Sequence, residues 1–570
     1  MLNRENSGRI HIYLPFLAIF FAFMVVEARL YWLQIVQHAE FSEQARGEQI
    51  RKIEVAPKRG TIYDRNLQKL AINIPSYSLY ARPKKISNPK QVATLLAPLV
   101  KTKSSLLRNK LEQKQIFVWL KRKLPLSQKK QIENLNLEGI GFVEESNRFY
   151  PQKELASHVL GFVGVDNQGL AGVEFSYDNE LKGQRGHFWI RRDALGYEIP
   201  FAREILQTLV PGKDLVLTID SVIQSIVEEE LAIALKETQA KSVEALFMDP
   251  HTGEILALSR RPSYDPNHYG DYPASAQKNH LIQSIYEPGS TFKVATASVL
   301  LEENLVDMKE RIFCENTLRI ADHIFHDWKE FNTDLDFYTI VQHSSDIGMI
   351  KLASRINNDI FFQYIKHFGF GTRTGVDLPG EEKGIARPSS SWSLTDPPCI
   401  AIGHGIAVTP LQMVTFLSAA INGGKLLRPY VVRAILEPGG RVIKKNNSHL
   451  VRTIISDSTS SMLREFLKGV VAGGTGERAG VSGYFVGGKT GTAQIPLSGA
   501  RGYAEGRYIS SFMGFAPVGS PKVAGIVIIK EPTGAYWGGE IAAPVFGRII
   551  RRALPYMNVL PEDEKWVKVS

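Results

Sequence analysis

Three short segments combine residue types that can turn a hydroxyl into a nucleophile. In Glu287-Pro288-Gly289-Ser290-Thr291-Phe292-Lys293, Pro288 suits the first position of a helix, so Ser290 is expected in the first turn. Lys293 lies three residues on, which puts its amine on the face that carries the hydroxyl. A serine needs a base to attack, and a lysine amine can serve where burial lowers its pKa. The first-turn dipole favours negative charge developing at Ser290. Ser344-Ser345-Asp346 opens or interrupts a later helical run. Lys489-Thr490-Gly491-Thr492 follows the apolar approach Tyr484-Phe485-Val486-Gly487-Gly488 and reads as a strand. A lysine and two hydroxyls there suit a carboxylate, and Gly491 lets an extended peptide lie against the strand edge.

The elements that must hold these segments follow from periodicity and turn signals. Pro211–Asp220 reads as a strand entering a helix, with Asp220 as the N-cap, and the main domain boundary is placed just before it. Val243–Ser259 is a hairpin around Asp249-Pro250-His251-Thr252-Gly253. Helices are expected at Ser290–Leu301, Tyr338–Ile356 and Pro410–Asn422, and late strands around Val486–Gly488, Phe512–Phe515 and Lys522–Ile529. Upstream, mixed strands, turns and short helices fill the stretch to about residue 210. Leu95–Leu124 carries helical periodicity, ended by Pro125.

Ile12–Val26 is uncharged and about 23 Å long as a helix, slightly short of the ~30 Å hydrocarbon core. Apolar character resumes after Arg29 with Leu30, Tyr31, Trp32 and Leu33, which favours an uncleaved anchor over a cleaved signal peptide. Arg4 and Arg9 precede the run and favour a cytoplasmic N-terminus, with residues after about 36 outside the membrane. Apolar residues make up 44% and charged residues 22%, which excludes a mainly disordered or polytopic membrane protein. Between Arg82 and Lys130 lie 14 Lys/Arg against Glu112 alone, more than the whole net charge of +10. No nucleic-acid recognition motif accompanies that segment, so it reads as a solvated basic face or a contact for anionic lipid or a partner protein. Cys314 and Cys399 cannot make a disulfide scaffold or a four-thiolate zinc site. Cys314, Asp322, His323, His326, Asp327 and His343 cluster in sequence without the spacing of a closed zinc site, so no metal is expected. His404, in a Gly-His-Gly loop, is either near the cleft or a turn histidine without chemistry.

The order S-x-x-K, S-x-D, K-T-G is a specific signature of acyl-serine penicillin-recognising enzymes. With it, the chain resembles the class B penicillin-binding proteins, monofunctional peptidoglycan transpeptidases. The resemblance runs along nearly the whole chain. Arg59-Gly60-Thr61-Ile62-Tyr63-Asp64-Arg65 is similar to the first motif of the family's pedestal. Arg148-Phe149-Tyr150-Pro151, Gly161-Phe162-Val163-Gly164 and Gly169-Leu170-Ala171-Gly172-Val173-Glu174 resemble the later ones. Leu217-Thr218-Ile219-Asp220 with Gln224, Ile402-Gly403-His404-Gly405 with Thr409-Pro410-Leu411-Gln412, and Asn422-Gly423-Gly424 match the transpeptidase domain. The resemblance is strongest to the septal, cell-division branch, the penicillin-binding protein 3 type, with the elongation branch as nearest relative.

The resemblance implies an α/β (α+β) protein with a single N-terminal transmembrane helix, an elongated mixed α/β pedestal, and a penicillin-binding domain whose central antiparallel sheet is flanked by helices. The implied division is 1–36 cytoplasmic tail and anchor, 37–210 pedestal (dimerisation-type) domain, 211–554 transpeptidase domain, 555–570 tail. Ser290 would be the nucleophile, Lys293 its base, and Ser344 with Lys489 the route for the leaving-group proton. Asp346, Thr490, Gly491 and Thr492 would bind substrate, and no cofactor is needed. The implied ligands are peptidoglycan stem peptides and β-lactams. The implied partners are a glycosyltransferase and other division-complex membrane proteins, at the cytoplasmic (inner) membrane with the catalytic domain outside. A D,D-carboxypeptidase, a β-lactamase, an acylated sensor and a non-catalytic division scaffold are the alternatives. Many septal members carry asparagine where this chain has Asp346. The aspartate either holds a lysine charged or only hydrogen-bonds, as an asparagine would.

Overall fold

The structure is a computed structural model that describes residues 5–55, 57–192, 198–497 and 502–562. Arg4 and the last part of the expected tail, residues 563–570, lie outside the described residues. The chain forms two compact units, one of residues up to Pro57 with Gly183–Pro211, the other of Lys58–Lys182 with Gly212 onward.

In the first unit, a helix covers Glu5–Tyr31 and continues as one wide turn over Trp32–Val36. Leu14–Val36 is long and apolar enough to cross a membrane, and none of it is buried. The unit also holds a three-stranded antiparallel sheet of Ile50–Val55, Gly186–Arg192 and Glu198–Gln207.

The second unit opens with strands Ile62–Tyr63, Lys69–Ala81, Val118–Leu124 and Ile140–Phe149. They share one seven-stranded sheet with Asp214–Leu217, Val432–Leu436 and Val442–Lys445. The expected helix over Leu95–Leu124 divides. Helices cover Pro89–Val100 and Ser104–Leu111, and Val118–Leu124 is a strand paired with Tyr77–Ala81. Lys101 takes a left-handed conformation that ends the first helix. Leu120 and Leu124 then fill the core under Leu79, Leu96 and Leu107.

Motifs from three places in this region converge on one carboxylate. Glu174, fully buried, takes Arg59 Nε and Arg148 Nε at 2.6 Å each, and Tyr150 Oη donates to it at 3.2 Å. Arg59 also reaches Asp178 at 2.6 Å. Two buried guanidinium groups therefore share one buried acid, and Arg59 alone has a second carboxylate.

Asp220 caps α1 (Ser221–Thr238) as expected, its side chain accepting from the Val222 and Ile223 N–H groups. The central sheet comprises β1 (Ser242–Met248), β2 (Ile255–Arg261), β3 (Gly487–Pro496), β4 (Tyr503–Ala516) and β5 (Val523–Lys530), in the antiparallel order β2-β1-β5-β4-β3. Five further helices frame it: α2 (Lys293–Glu302), α3 (Asp346–Ala353), α4 (Pro410–Ile421), α5 (Asp457–Gly473) and α6 (Gly538–Tyr556). On β5, Val523, Val527 and Ile529 point into a core shared with α1 and α6, while Ala524, Ile526 and Ile528 point into the core of α2 and α4. That period-two alternation between two buried faces marks a sheet covered on both sides. Strand β3 ends the order, so among the described residues only β4 pairs with it.

Candidate active site

Residues Gly289–Phe292 form a single 3-10 turn, and Lys293 begins α2. Ser290 thus lies in a tighter turn than the α-helical first turn expected, because Gly289 takes φ +54° and Pro288 precedes the helix rather than starting it. The Gly289 N–H donates to Gly403 O at 3.1 Å, which ties the turn to the Gly-His-Gly loop. A Cβ on Gly403 would stand 2.1 Å from Gly289 O, so this approach requires glycine. His404 therefore does lie beside the turn that carries Ser290: its Nδ1 is 3.1 Å from Glu287 Oε2, which also accepts from Tyr503 Oη at 2.9 Å.

The turn packs against β3. A Cβ on Gly491 would meet Ser511 Oγ at 2.6 Å, Thr291 Cγ2 at 2.9 Å and Pro288 O at 3.0 Å. The close approach that Gly491 permits is therefore to the turn carrying Ser290. Lys489 stands opposite Met513 in the register, and cross-strand partners share a face, so its side chain points toward α2.

The expected helix Tyr338–Ile356 is interrupted. Asp336 caps a short helix over Phe337–Gln342, and Ser345 caps α3, its Oγ accepting the Gly348 N–H at 2.9 Å. Between them Ser344 sits at φ +58°, a left-handed conformation that costs a non-glycine residue about 1–3 kcal/mol. This kink turns the Ser344 hydroxyl to two lysines from different motifs. Lys489 Nζ donates to it at 2.7 Å and Lys293 Nζ lies 3.3 Å away, donating also to Ser344 O at 2.6 Å. Both lysines are fully buried. Asp346 Oδ1 meets Lys293 Nζ at 2.5 Å. Burial pushes the Lys489 amine well below the ordinary lysine value, the Lys293 charge adds to the fall, and Asp346 opposes it.

The structure therefore brings Lys293, Ser344, Asp346 and Lys489 into one connected group, with Ser290 one turn before Lys293. Among the described residues the Ser290 hydroxyl makes no hydrogen bond, to Lys293 or to any other group. Thr490 Oγ1 lies 2.8 Å from Thr475 Oγ1, and Thr492 Oγ1 accepts the Gly538 N–H at 3.0 Å. Thr475 carries no sequence signal beyond its place in the Gly474-Thr475-Gly476 turn. Asp327, a metal-ligand type by sequence, instead has a carboxylate that accepts from Ser345 Oγ at 2.8 Å and from the Asp346 N–H. Burial lifts the Asp327 carboxyl above the usual range, against the pull of Lys293.

A penicillin-binding-protein transpeptidase-domain model matches residues 243–551, and a penicillin-binding-protein dimerisation-domain model matches residues 54–217. The chain belongs to the penicillin-binding transpeptidase family, as its motifs implied. Stage V sporulation protein D of Bacillus subtilis is 36% identical over 551 residues, spanning 95% of this chain and 85% of that one. Peptidoglycan D,D-transpeptidase FtsI of Escherichia coli is 32% identical over 550 residues, spanning 94% and 90%. The crystal structure of penicillin-binding protein 3 from Mycobacterium tuberculosis superposes with a TM-score of 0.71 at 26% identity, covering 90% of this chain and 98% of that one. Family, fold class and serine acyltransferase character thus agree with the expectations from the motifs.

Proposed function

We propose that the protein is a peptidoglycan D,D-transpeptidase that cross-links stem peptides through an acyl-serine intermediate in septal wall synthesis. The observation that carries this reading is the Ser344 hydroxyl shared by two buried lysines of two different motifs, beside the turn that presents Ser290. Ser290 attacks the penultimate carbonyl of a stem ending in D-Ala-D-Ala, and Lys293 takes the proton. Lys489 acts through Ser344 to protonate the departing D-alanine. Thr490 and Thr492 hold the terminal carboxylate, and the Ser290 and Thr492 N–H groups stabilise the oxyanion. An amine on a neighbouring stem then attacks the acyl-enzyme. β-Lactams acylate the same serine.

We assign residues 1–36 to the tail and anchor, 37–210 to the pedestal, 211–554 to the transpeptidase domain and 555–570 to the tail. The two family matches support the middle pair. The exposed apolar helix Leu14–Val36 supports a membrane anchor, and Arg4 and Arg9 before it favour a catalytic domain outside. Division-complex membrane proteins, a glycosyltransferase among them, are the partners this placement favours. A reporter fused after Ser570 tests the orientation, and activity confined to the cytoplasm contradicts it. Fluorescent penicillin on purified wild type and Ser290→Ala tests the chemistry: labelling of the wild type alone is expected, and equal labelling of a folded Ser290→Ala removes Ser290 from the nucleophile's role.

A further inference from the structure

The left-handed kink at Ser344 closes the preceding helix, the Ser345 N–H donating to Ile340 O at 3.0 Å and the Ser344 N–H to Val341 O at 3.3 Å, and it is also gripped from outside its own helices. Asp327 and Trp328 follow the strand His323–His326, and neither belongs to the three motifs. Trp328 Nε1 donates to His343 O at 2.7 Å, on one flank of Ser344. On the other flank, the Asp327 carboxylate accepts from the Ser345 hydroxyl at 2.8 Å, from the Asp346 N–H, and from the Ile347 N–H at 3.4 Å. Two consecutive side chains thus grip residues 343 and 345–347, leaving Ser344 between them.

The first turn of α3 has few other means of holding this shape. Ser345 Oγ supplies the Gly348 N–H, so the Asp346 and Ile347 N–H groups depend on Asp327. Asp346 must also keep its carboxylate 2.5 Å from Lys293. A carboxylate accepting three donors in a half-buried position is a stiff fixture, because charge-assisted hydrogen bonds are about twice as strong as neutral ones. Without it, the αL conformation of Ser344 keeps the capping bond to Ile340 O and the two lysine contacts but loses its hold on the α3 side, and the serine can shift so that Oγ moves off Lys489.

We propose that Asp327, assisted by Trp328, is a positioning residue for the acylation reaction, fixing the Ser344 kink and the Asp346 carboxylate against Lys293 and Lys489. The proposal rests on the assignment of Ser344 and the two lysines to proton transfer. Asp327 touches no substrate in this role. Its loss should slow the acylation step while leaving the preceding non-covalent binding of a β-lactam nearly unchanged.

The test is stopped-flow acylation of the detergent-solubilised full chain by a chromogenic β-lactam, resolved into a dissociation constant and a rate constant, with melting temperatures alongside. Asp327→Ala is expected to lower the rate constant about ten-fold or more, with the dissociation constant within about three-fold, since one lost charge-assisted network is worth roughly a decade in rate. Asp327→Asn keeps an acceptor oxygen and is expected to recover much of that loss. Trp328→Phe removes one N–H donor and is expected to slow acylation about three-fold or more. A folded Asp327→Ala that acylates within two-fold of wild type overturns the proposal, as does Asp327→Asn being as slow as Asp327→Ala. If Asp327→Ala does not fold, an unchanged rate in Trp328→Phe overturns it. Ser290→Ala run in parallel separates the two levels: labelling that survives there defeats the site assignment itself, whereas a dead Ser290→Ala beside a fast Asp327→Ala defeats only the clamp.

Discussion

Lys293 Nζ and Asp346 Oδ1 lie 2.5 Å apart, with the lysine wholly buried and the aspartate side chain 27% exposed. An asparagine here would keep an acceptor oxygen and lose the charge, so the charge is the open variable. The contact needs a short side chain with an acceptor oxygen, which asparagine keeps and alanine lacks. Asp346→Asn is therefore expected to acylate at a rate near wild type, and Asp346→Ala to be slower by about ten-fold or more. Acylation rates across pH decide between bond and charge. If charge is what matters, both variants slow equally, and the profile of the asparagine form shifts to lower pH, because removing an anion lowers a neighbouring lysine's pKa.

Gly491 offers a test of how the two halves of the site are held together. Its missing side chain leaves room for Pro288, Thr291 and Ser511. In Gly491→Ala the new methyl pushes the turn bearing Ser290 away from β3, an overpacking cost of about 1–3 kcal/mol. Acylation is expected to fall about ten-fold or more, since small displacements of reacting groups are costly, while the protein stays folded. A Gly491→Ala protein with the wild-type acylation rate would show that the turn and strand are not rigidly coupled.

Much of this site is legible from sequence because chemistry restricts residue type within a few positions. Ser290 and Lys293 are three apart, and Lys489, Thr490 and Gly491 are contiguous. The hydrophobic alternation on β5 and the Asp220 cap are local in the same way. Asp327 is not, since its bonds run from a side chain to backbone N–H groups about twenty residues on, a pairing no residue type announces. The strand Val118–Leu124 is hidden for another reason. Lys121, Arg122 and Lys123 interrupt its apolar alternation, and only pairing with Tyr77–Ala81 reveals it. The 3-10 form of the turn that carries Ser290 depends on Gly289 meeting Gly403, a contact between segments far apart in the chain.

Lys489 gives a pH-dependent stability with a definite sign. Burial lowers its pKa in the folded protein below the ordinary 10.5. Between the lowered value and 10.5 the unfolded chain binds the extra proton, so the penalty on folding builds as pH falls from 10.5 toward the folded value, is complete below it, and lifts as pH rises. The melting temperature of the wild type relative to Lys489→Met is therefore expected to rise as pH rises toward 10.5. A difference that stays flat or falls over that range contradicts a depressed Lys489.

Glu174 is the sole carboxylate reached by both Arg59 and Arg148 among the described residues, and all three side chains are at most 2% exposed. In Glu174→Ala one guanidinium keeps Asp178, at 2.6 Å from Arg59, and the other keeps Gly60 O, at 2.7 Å from Arg148. Neither contact neutralises two buried charges, and breaking a buried pair by removing one partner costs about 3–5 kcal/mol. Glu174→Ala is expected to lower the melting temperature by several degrees or to prevent folding. Glu174→Gln preserves shape and one acceptor, so it should fall between. A double variant, Arg148→Met with Glu174→Gln, removes one charge from each side and should recover part of the loss. Melting temperatures of the four proteins measure the coupling, and a Glu174→Ala protein as stable as wild type would mean that water or backbone already compensates both guanidinium groups.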